Sequence, residues 1–424
     1  MSSTLTPTLG ATGRRLRQLA WLGAGSLGLT GKRAPAGPLH AQIGVCDPCN
    51  HKCVMCWDHP ADDHTSAATD DRFGGLAPGI MSLERFREVA DDLHGLGTPR
   101  IDIVGRGEPL LNPAVEDMVV YAKGLRFLVT LCTNASRLSP ERSRQFVDAG
   151  LDRVNVSLNA GTPETYPSIH VTETPENYRR VKANLRALAD AKQAAGQSAP
   201  YVKLSFVISA RNYFEIEAMV RVADEVGAEE ASFVHTTVHD GTPDLALDHA
   251  QYTALKSSLP AARAVAQELG VTTNLDTFDA TVPVYLAPKV EGPPVVPCYV
   301  GWYFTVVLGN GSVMPCCQCS TSIDRVSKDR RFADVWASEA YGEFRDAARR
   351  LPEPSERLAS CECHSCMLRP RNITIHNLLH PWDRIDGGDD EQLFTLSDVL
   401  RLKKLDRRSR RHTAAASSPT GASK

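Results

Sequence analysis

No stretch of this chain is long and apolar enough to cross a bilayer, which takes about 20 consecutive apolar residues. There is no excess of either charge: 47 basic residues meet 50 acidic ones, for a net charge of −3. Nothing in that balance calls for nucleic acid or an acidic membrane as partner. Compositional bias is absent too. At 42% hydrophobic and 23% charged, the 424 residues are not a disordered chain, a collagen or a short disulfide scaffold. The length suggests two or three domains. What the chain does have is cysteine. There are twelve, and seven of them fall between Cys298 and Cys366.

The N-terminus, residues 1–37, has two readings. Arg14-Arg15, an apolar run over 19–29 and then Ala34-Pro35-Ala36 resemble a twin-arginine export signal. The other reading is a leading helix over 13–22 that packs on the domain behind it. The cysteine chemistry below favours the helix.

From 38 to about 278 short apolar runs alternate with longer amphipathic ones. Strands are expected at 39–45, 100–104, 126–133, 153–158, 202–208 and 231–235. Helices are expected at 82–96, 113–123, 139–149, 175–195, 213–226 and 249–269. Ser82 is a good N-cap, with Arg85 where a capping-box Glu would sit. Pro140 opens one helix and Gly150 closes it. Six strand–helix repeats imply an α/β fold with a parallel sheet and right-handed crossovers. Six units predict a partial (β/α)6 barrel over 38–282 rather than the full eight. Ligands in such folds sit at the C-terminal ends of the strands. Residues 283–297 are rich in Pro and read as a linker. Residues 298–380 read as a small, irregular, metal-organised domain. Residues 381–424 hold one expected helix, 396–405, and then a basic, solvated tail.

Directly after the first strand comes Cys49-Asn50-His51-Lys52-Cys53-Val54-Met55-Cys56. Three cysteines at this spacing can converge on one metal centre. Structural zinc wants four ligands. Three thiolates with no fourth nearby suit a four-iron cluster with one open iron. His51 as a fourth ligand and a zinc-stabilised loop are the alternatives.

The CxxxCxxC loop after strand one resembles that of the radical S-adenosylmethionine (SAM) enzymes. The resemblance implies a 4Fe-4S cluster on Cys49, Cys53 and Cys56 whose open iron chelates SAM. It implies reductive cleavage of SAM to a 5′-deoxyadenosyl radical. The residue before the third cysteine is usually aromatic in that family. Here it is Met55, with Trp57 just beyond as a second apolar contact for the adenine. Gly105-Arg106-Gly107-Glu108-Pro109 after strand two resembles the family's GGEP motif, which holds the methionine amino group, with Arg106 in place of a glycine. Thr133 and Asn134 end strand three. Ser157 and Asn159 end strand four and resemble the family's ribose and carboxylate contacts. Ser205 on strand five and Arg211 after it complete the expected cofactor contacts. His235, His239 and Asp240 follow strand six, at the mouth where substrate is expected.

The second group also has a pattern: Cys298, twelve residues, Gly311, four residues, Cys316. It resembles the opening of the SPASM and twitch extensions of radical SAM enzymes. A hairpin fits, with strands at 303–308 and 312–315 around Gly309-Asn310-Gly311. No cysteine follows Cys366, which argues for the shorter twitch form. The resemblance then implies one auxiliary 4Fe-4S cluster on Cys298, Cys316, Cys363 and Cys366. Cys317, Cys319 and Cys361 are left over. They either support a second cluster or leave a thiol, Cys317 or Cys319, that returns a hydrogen atom to a substrate radical. Zinc is the alternative for the whole region.

An oxygen-sensitive cluster favours the cytoplasm over export. A reducing partner such as flavodoxin or ferredoxin is implied, and neither nucleic acid nor membrane. An auxiliary cluster beside the substrate would make the enzyme a dehydrogenase; a thiol there would make it an epimerase. Peptide-modifying relatives often carry a leader-recognition module of about 80 residues before the barrel. About 38 residues precede strand one here, which leans toward a small polar metabolite, sugar- or aminocyclitol-like, oxidised in natural-product biosynthesis. A peptide maturase is the alternative, and a zinc-stabilised binding protein is the non-enzyme one.

Overall fold

The computed structural model describes residues 20–21, 23–30, 32–34, 36–56, 58, 79–238, 242–286, 296–319, 322–359, 361, 363, 366 and 368–385. Trp57, His239, Asp240, the Arg14-Arg15 motif, the 396–405 helix and the basic tail lie outside them.

The architecture is α/β, built on one sheet. Its first six strands are β1 (His40–Gly44), β2 (Arg100–Val104), β3 (Leu128–Thr133), β4 (Arg153–Ser157), β5 (Tyr201–Ile208) and β6 (Glu230–His235). They pair in sequence order and all in parallel. The crossovers are α1 (Leu83–Gly95), α2 (Val115–Gly124), α3 (Pro140–Asp148), the short α4 (Tyr166–Ile169) with α5 (Pro175–Ala194), and α6 (Ile216–Val226). After β6 come α7 (His249–Leu269), the two-residue β7 (Thr272–Thr273) and α8 (Leu275–Leu286). The caps follow the sequence signals. Ser82, Ser139, Thr174 and Asp248 each accept a backbone N–H of the first turn. Gly150 adopts φ +71°, which a glycine reaches without cost.

Alternation sorts the strand side chains. Ala41, Ile43, Ile101, Ile103, Val129 and Leu131 are fully buried in the core that also takes up the helices. The opposite face is polar: Gln42, Asp102 and Thr130 share one register row, and Asn155 and Lys203 pair across β4 and β5. The His40 imidazole lies 2.8 Å from the Asp102 carboxylate on that face.

Several boundaries differ from expectation. α2 begins at Val115 rather than 113, because the Asn112 side chain accepts the Ala114 N–H at 2.9 Å and spends the preceding residues as a turn. α8 runs to Leu286, into the expected linker. The larger correction concerns 298–380. The hairpin strands β8 (Phe304–Val307) and β9 (Ser312–Met314) exist as expected. But β8 pairs in parallel with β1, His40 against Phe304. With β10 (Asp324–Arg325) the sheet among the described residues has ten strands, in the order β10-β9-β8-β1-β2-β3-β4-β5-β6-β7. The region is therefore an extension of the barrel sheet, not an irregular appendage. It also holds helices that the sequence pattern did not announce: α9 (Val300–Tyr303), α10 (Phe332–Trp336), α11 (Glu339–Arg349) and α12 (Arg369–Leu379). Residues 20–21 and 23–26 are helical, and Gly25 lies against Trp302 of α9.

Candidate active site and metal centres

The loop after β1 is fixed from three sides. From β2, the Gly107 N–H donates to the Cys46 carbonyl at 3.1 Å and the Glu108 N–H to the Pro48 carbonyl at 3.0 Å. A Cβ on Gly105 would stand 2.2 Å from the Cys46 oxygen, and one on Gly107 1.9 Å from the Pro48 oxygen. The glycines are thus demanded by the approach of two protein loops. From β3, Asn134 Nδ2 donates to Asn50 Oδ1 at 3.1 Å, and Asn50 Nδ2 donates to the Ser136 hydroxyl at 2.9 Å. From the segment after β4, the Val54 N–H donates to the Ile169 carbonyl and the Val171 N–H to the Lys52 carbonyl, both at 3.0 Å.

Cys49, Cys53 and Cys56 all lie on this one fastened loop. Burial pushes the Cys53 thiol well up, and the neighbouring Cys56 and Cys49 add to the shift. Burial raises Cys49 likewise, and its sulfur accepts the His51 N–H at 3.4 Å. Three cysteine sulfurs on one loop are the chemical donor set an iron–sulfur cluster takes. Glu108 stands beside them. Burial raises its pKa against the pull of three donors: Leu110 N–H at 2.9 Å, Thr133 hydroxyl at 2.6 Å and Asn134 N–H at 2.7 Å. Glu108, Pro109, Thr133 and Asn134 are thereby one unit. Arg106, the departure from the family motif, donates to Asp58 at 3.1 Å, just past the third cysteine.

The remaining expected contacts divide. Ser157 is exposed and lies in register with Ser205, whose hydroxyl donates to Asn155 at 2.6 Å. Met55 packs with Val54, Ile169 and Leu245. Asn159 is spent on structure, its Oδ1 accepting the Val207 N–H. Arg211 reaches Asp244 at 2.7 Å and the Ser168 carbonyl at 3.1 Å, so it closes a surface loop. His235 stacks on Phe278 with ring centres 4.0 Å apart. Burial lowers its pKa to about 4, so it is neutral at pH 7.

At the other end of the molecule a small cavity of about 20 Å³ is lined by Cys298, Cys316, Cys363 and Cys366, all four of the expected auxiliary ligands, together with Cys361. The rest of its wall is mostly apolar. Burial raises the thiols of all four. Asn372 Nδ2 donates to the Cys298 sulfur at 3.7 Å and the Gln318 N–H to the Cys316 sulfur at 3.3 Å. The donor set and the dry wall fit a second cluster. The sulfurs of Cys319 and Cys361 are joined. Cys319 is therefore not the spare thiol expected, because its partner lies opposite it across a bridge between the two segments. Cys317 is exposed and keeps its thiol.

Two family models match the chain: the radical SAM superfamily over residues 45–195 and the SPASM iron–sulfur cluster-binding domain over 298–367. The chain thus carries a radical SAM domain and a SPASM domain. As a radical SAM enzyme it uses SAM and 4Fe-4S clusters. It is 26% identical over 306 residues to a PqqA peptide cyclase of Xanthomonas campestris pv. campestris, covering 70% of this chain and 74% of that protein. It is 36% identical to a GTP 3′,8-cyclase of Peptoclostridium acidaminophilum, over only 31% of this chain and 37% of that one. Among solved structures, SAM-bound SuiB of Streptococcus suis has a TM-score of 0.54 at 14% identity, covering 79% of this chain and 74% of that one. AdoMet- and peptide-bound anSMEcpe has 0.53 at 16%, covering 78% and 90%. These two likenesses are of fold. Among the described residues no helix is long and apolar enough to cross a membrane.

Sequence reasoning missed Asn50, Asn112 and His170, which hold the cysteine loop. Asn50 was in plain view inside the motif. His170 gave no signal, because it lies in an irregular segment that only the fold brings to the loop.

Proposed function

We propose that this radical SAM enzyme modifies a peptide. One observation carries the reading: the PqqA peptide cyclase likeness extends over 306 residues, 70% of the chain, a longer stretch than the 45–195 that the radical SAM model matches. The likeness to a GTP cyclase covers only 31% of the chain and so speaks for a smaller part of it. The expectation of a sugar-like metabolite gives way to this reading.

When bound, the cluster and SAM supply a 5′-deoxyadenosyl radical, which takes a hydrogen atom from substrate. The chain's residues do the rest. Cys49, Cys53 and Cys56 hold the cluster. Glu108, with a carboxylate already set by Thr133 and Asn134, holds an ammonium group. The polar face of the sheet, with Asn155, Ser157 and Ser205 near its top, lines the space in between. Cys298, Cys316, Cys363 and Cys366 hold the auxiliary cluster. It stands at the end of the sheet where β1 begins, whereas the SAM loop stands where β1 ends. When loaded, that cluster would supply a one-electron acceptor for the substrate radical; with a proton lost to solvent, the outcome would be a peptide two hydrogens lighter.

The test is anaerobic purification, iron analysis and turnover with a candidate precursor peptide. Two four-iron units give about eight iron per chain. With SAM and a reductant, deuterium from a labelled peptide should appear in 5′-deoxyadenosine. Transfer from a labelled aminocyclitol or sugar, and none from peptide, would sink the peptide reading. 5′-Deoxyadenosine formation that survives Cys49→Ala, Cys53→Ala and Cys56→Ala together would sink the ligand assignment.

A further inference from the structure

Of the cysteines that the expected auxiliary ligands leave over, Cys319 and Cys361 are joined through their sulfurs. They face each other in an antiparallel bridge, 42 residues apart in the chain. The pair stands between two spaces. On one side Cys361 lines the chamber walled by Cys298, Cys316, Cys363 and Cys366. On the other side Cys319 lines a separate cavity of about 230 Å³. Phe344 belongs to both walls, so the two spaces are neighbours. Ser322 and Ala340 border the larger cavity, and the exposed Glu356 and Arg357 give its border both charges. Backbone hydrogen bonds couple the pair to two ligands. The Cys319 N–H donates to the Cys316 carbonyl at 3.5 Å, and the Cys363 N–H donates to the Cys361 carbonyl at 2.8 Å. Iron–sulfur clusters of this kind need reducing conditions, and under those a disulfide is usually transient and either catalytic or redox-sensing.

We propose that the Cys319–Cys361 bridge is a thiol-exchange site, opened by a low-molecular-weight thiol of amino-acid type that enters the cavity beside Cys319. The paired charges of Glu356 and Arg357 suit the amino and carboxylate groups of such a thiol. Access decides which sulfur is attacked, and of the two spaces the one beside Cys319 has the room. The incoming thiolate forms a new sulfur–sulfur bond at Cys319, and the bond to Cys361 breaks. Cys361 leaves as the thiolate and takes up the proton that the incoming thiol gave up. One disulfide replaces another, so no electron is gained or lost. Attack by Cys361 on the mixed bond expels the thiol and restores the bridge. While the bridge is open, Cys361 adds a fifth thiol to the wall of the auxiliary chamber. The segments carrying Cys316 and Cys363 also lose their covalent tie. Hydrogen bonds to the sulfurs and solvent exposure are levers that set the properties of an iron–sulfur cluster. The proposal rests on Cys298, Cys316, Cys363 and Cys366 being the auxiliary ligands.

The test uses the full chain with both clusters loaded, purified anaerobically without thiols. Iodoacetamide followed by peptide mass spectrometry should find Cys319 and Cys361 unalkylated until glutathione, the probe thiol, is added. Each partner is then read alone, with glutathione disulfide as the probe. Cys361→Ser should take up one glutathione, on Cys319. Uptake on Cys361 in Cys319→Ser should be slower by about an order of magnitude. Ala340→Trp, which fills the cavity, should slow the uptake of Cys361→Ser by a similar factor. Electron paramagnetic resonance reads the two clusters separately. Glutathione added to wild type should move the auxiliary g values and leave those of the SAM cluster unchanged. Cys319→Ser should show the moved values with no thiol added. Loss of the auxiliary signal alone in Cys319→Ser also supports the proposal, because the tie between the ligand segments is gone. Equal uptake on Cys319 and Cys361, alkylation of both before any thiol, or auxiliary g values that glutathione does not move overturns it. So does joint loss of both clusters in Cys319→Ser. An auxiliary cluster that persists when Cys316→Ala and Cys363→Ala are combined overturns instead the ligand reading on which the proposal stands.

Discussion

Gly107 has the least room of any residue near the cysteine loop. An added Cβ would meet backbone oxygens of Pro48 and Asp47 at 1.9 and 2.5 Å, and backbone cannot step aside as a side-chain tip can. Gly107→Ala should cost about 1–3 kcal/mol by overpacking. Because the clash falls on the loop itself, iron content should drop by the SAM cluster's share while the auxiliary cluster loads normally. His235 makes a second prediction at this scale. Its pKa is lowered from 6.5 to about 4 by burial. Between those values the unfolded chain binds a proton that the folded one refuses, so stability falls as pH falls through that window. The slope from this one group is at most about 1.4 kcal/mol per pH unit. Denaturant midpoints measured from pH 7 to 4.5 should flatten in His235→Phe relative to wild type.

Elements are joined by a few side chains. Asn112 donates to the carbonyls of Val45 and Met81, at 2.8 and 2.9 Å, and accepts the Ala114 N–H. It thereby fastens the end of β1 to the entries of α1 and α2. Asn112→Ala removes a donor from the Met81 carbonyl and one of two from the Val45 carbonyl, which keeps the Met81 N–H, and should cost about 1–3 kcal/mol, read from thermal or urea unfolding. Arg345 of α11 does similar work in the SPASM region. It is fully buried, donates to the carbonyls of Gly301 and Trp336 at 2.7 and 2.8 Å, and lies between the Trp336 and Tyr341 rings. Burial lowers its pKa only to about 10, so it remains a cation. Arg345→Ala should loosen α9, which follows Cys298 directly, and should reduce auxiliary iron before SAM-cluster iron. These two examples also explain what was legible. β2 and α7 were read to the residue, since their apolar positions keep strict periods. α11 was not, because its inward face carries Arg345 and Gly342 where a pattern wants large apolar groups. α12 was hidden for the same reason, by buried Asn372, Thr374 and His376.

Over the whole molecule, β8 is the decisive strand. It covers the edge of β1 that a free-standing barrel would leave bare, and uncovered edges invite aggregation. A chain ended at residue 282 should therefore be insoluble or unfolded by circular dichroism, although the expected barrel is complete by then. A soluble, folded fragment would show that the SPASM region is a detachable unit after all. The same sheet sets the two cysteine groups at opposite ends of β1, so the auxiliary cysteines do not share the mouth where His235 and its neighbours were expected to meet substrate.

The sequence by itself determined the two cysteine sets, the alternation of strands and helices and the GRGEP turn, because each is written in spacing between near neighbours along the chain. Only the tertiary structure decided that β8 pairs with β1, that Cys319 meets Cys361 and that His170 reaches Cys53. Those partners stand 42 to 264 residues apart. A contact between positions so distant leaves no periodic mark on either segment; it exists only once the sheet has closed the loops between them.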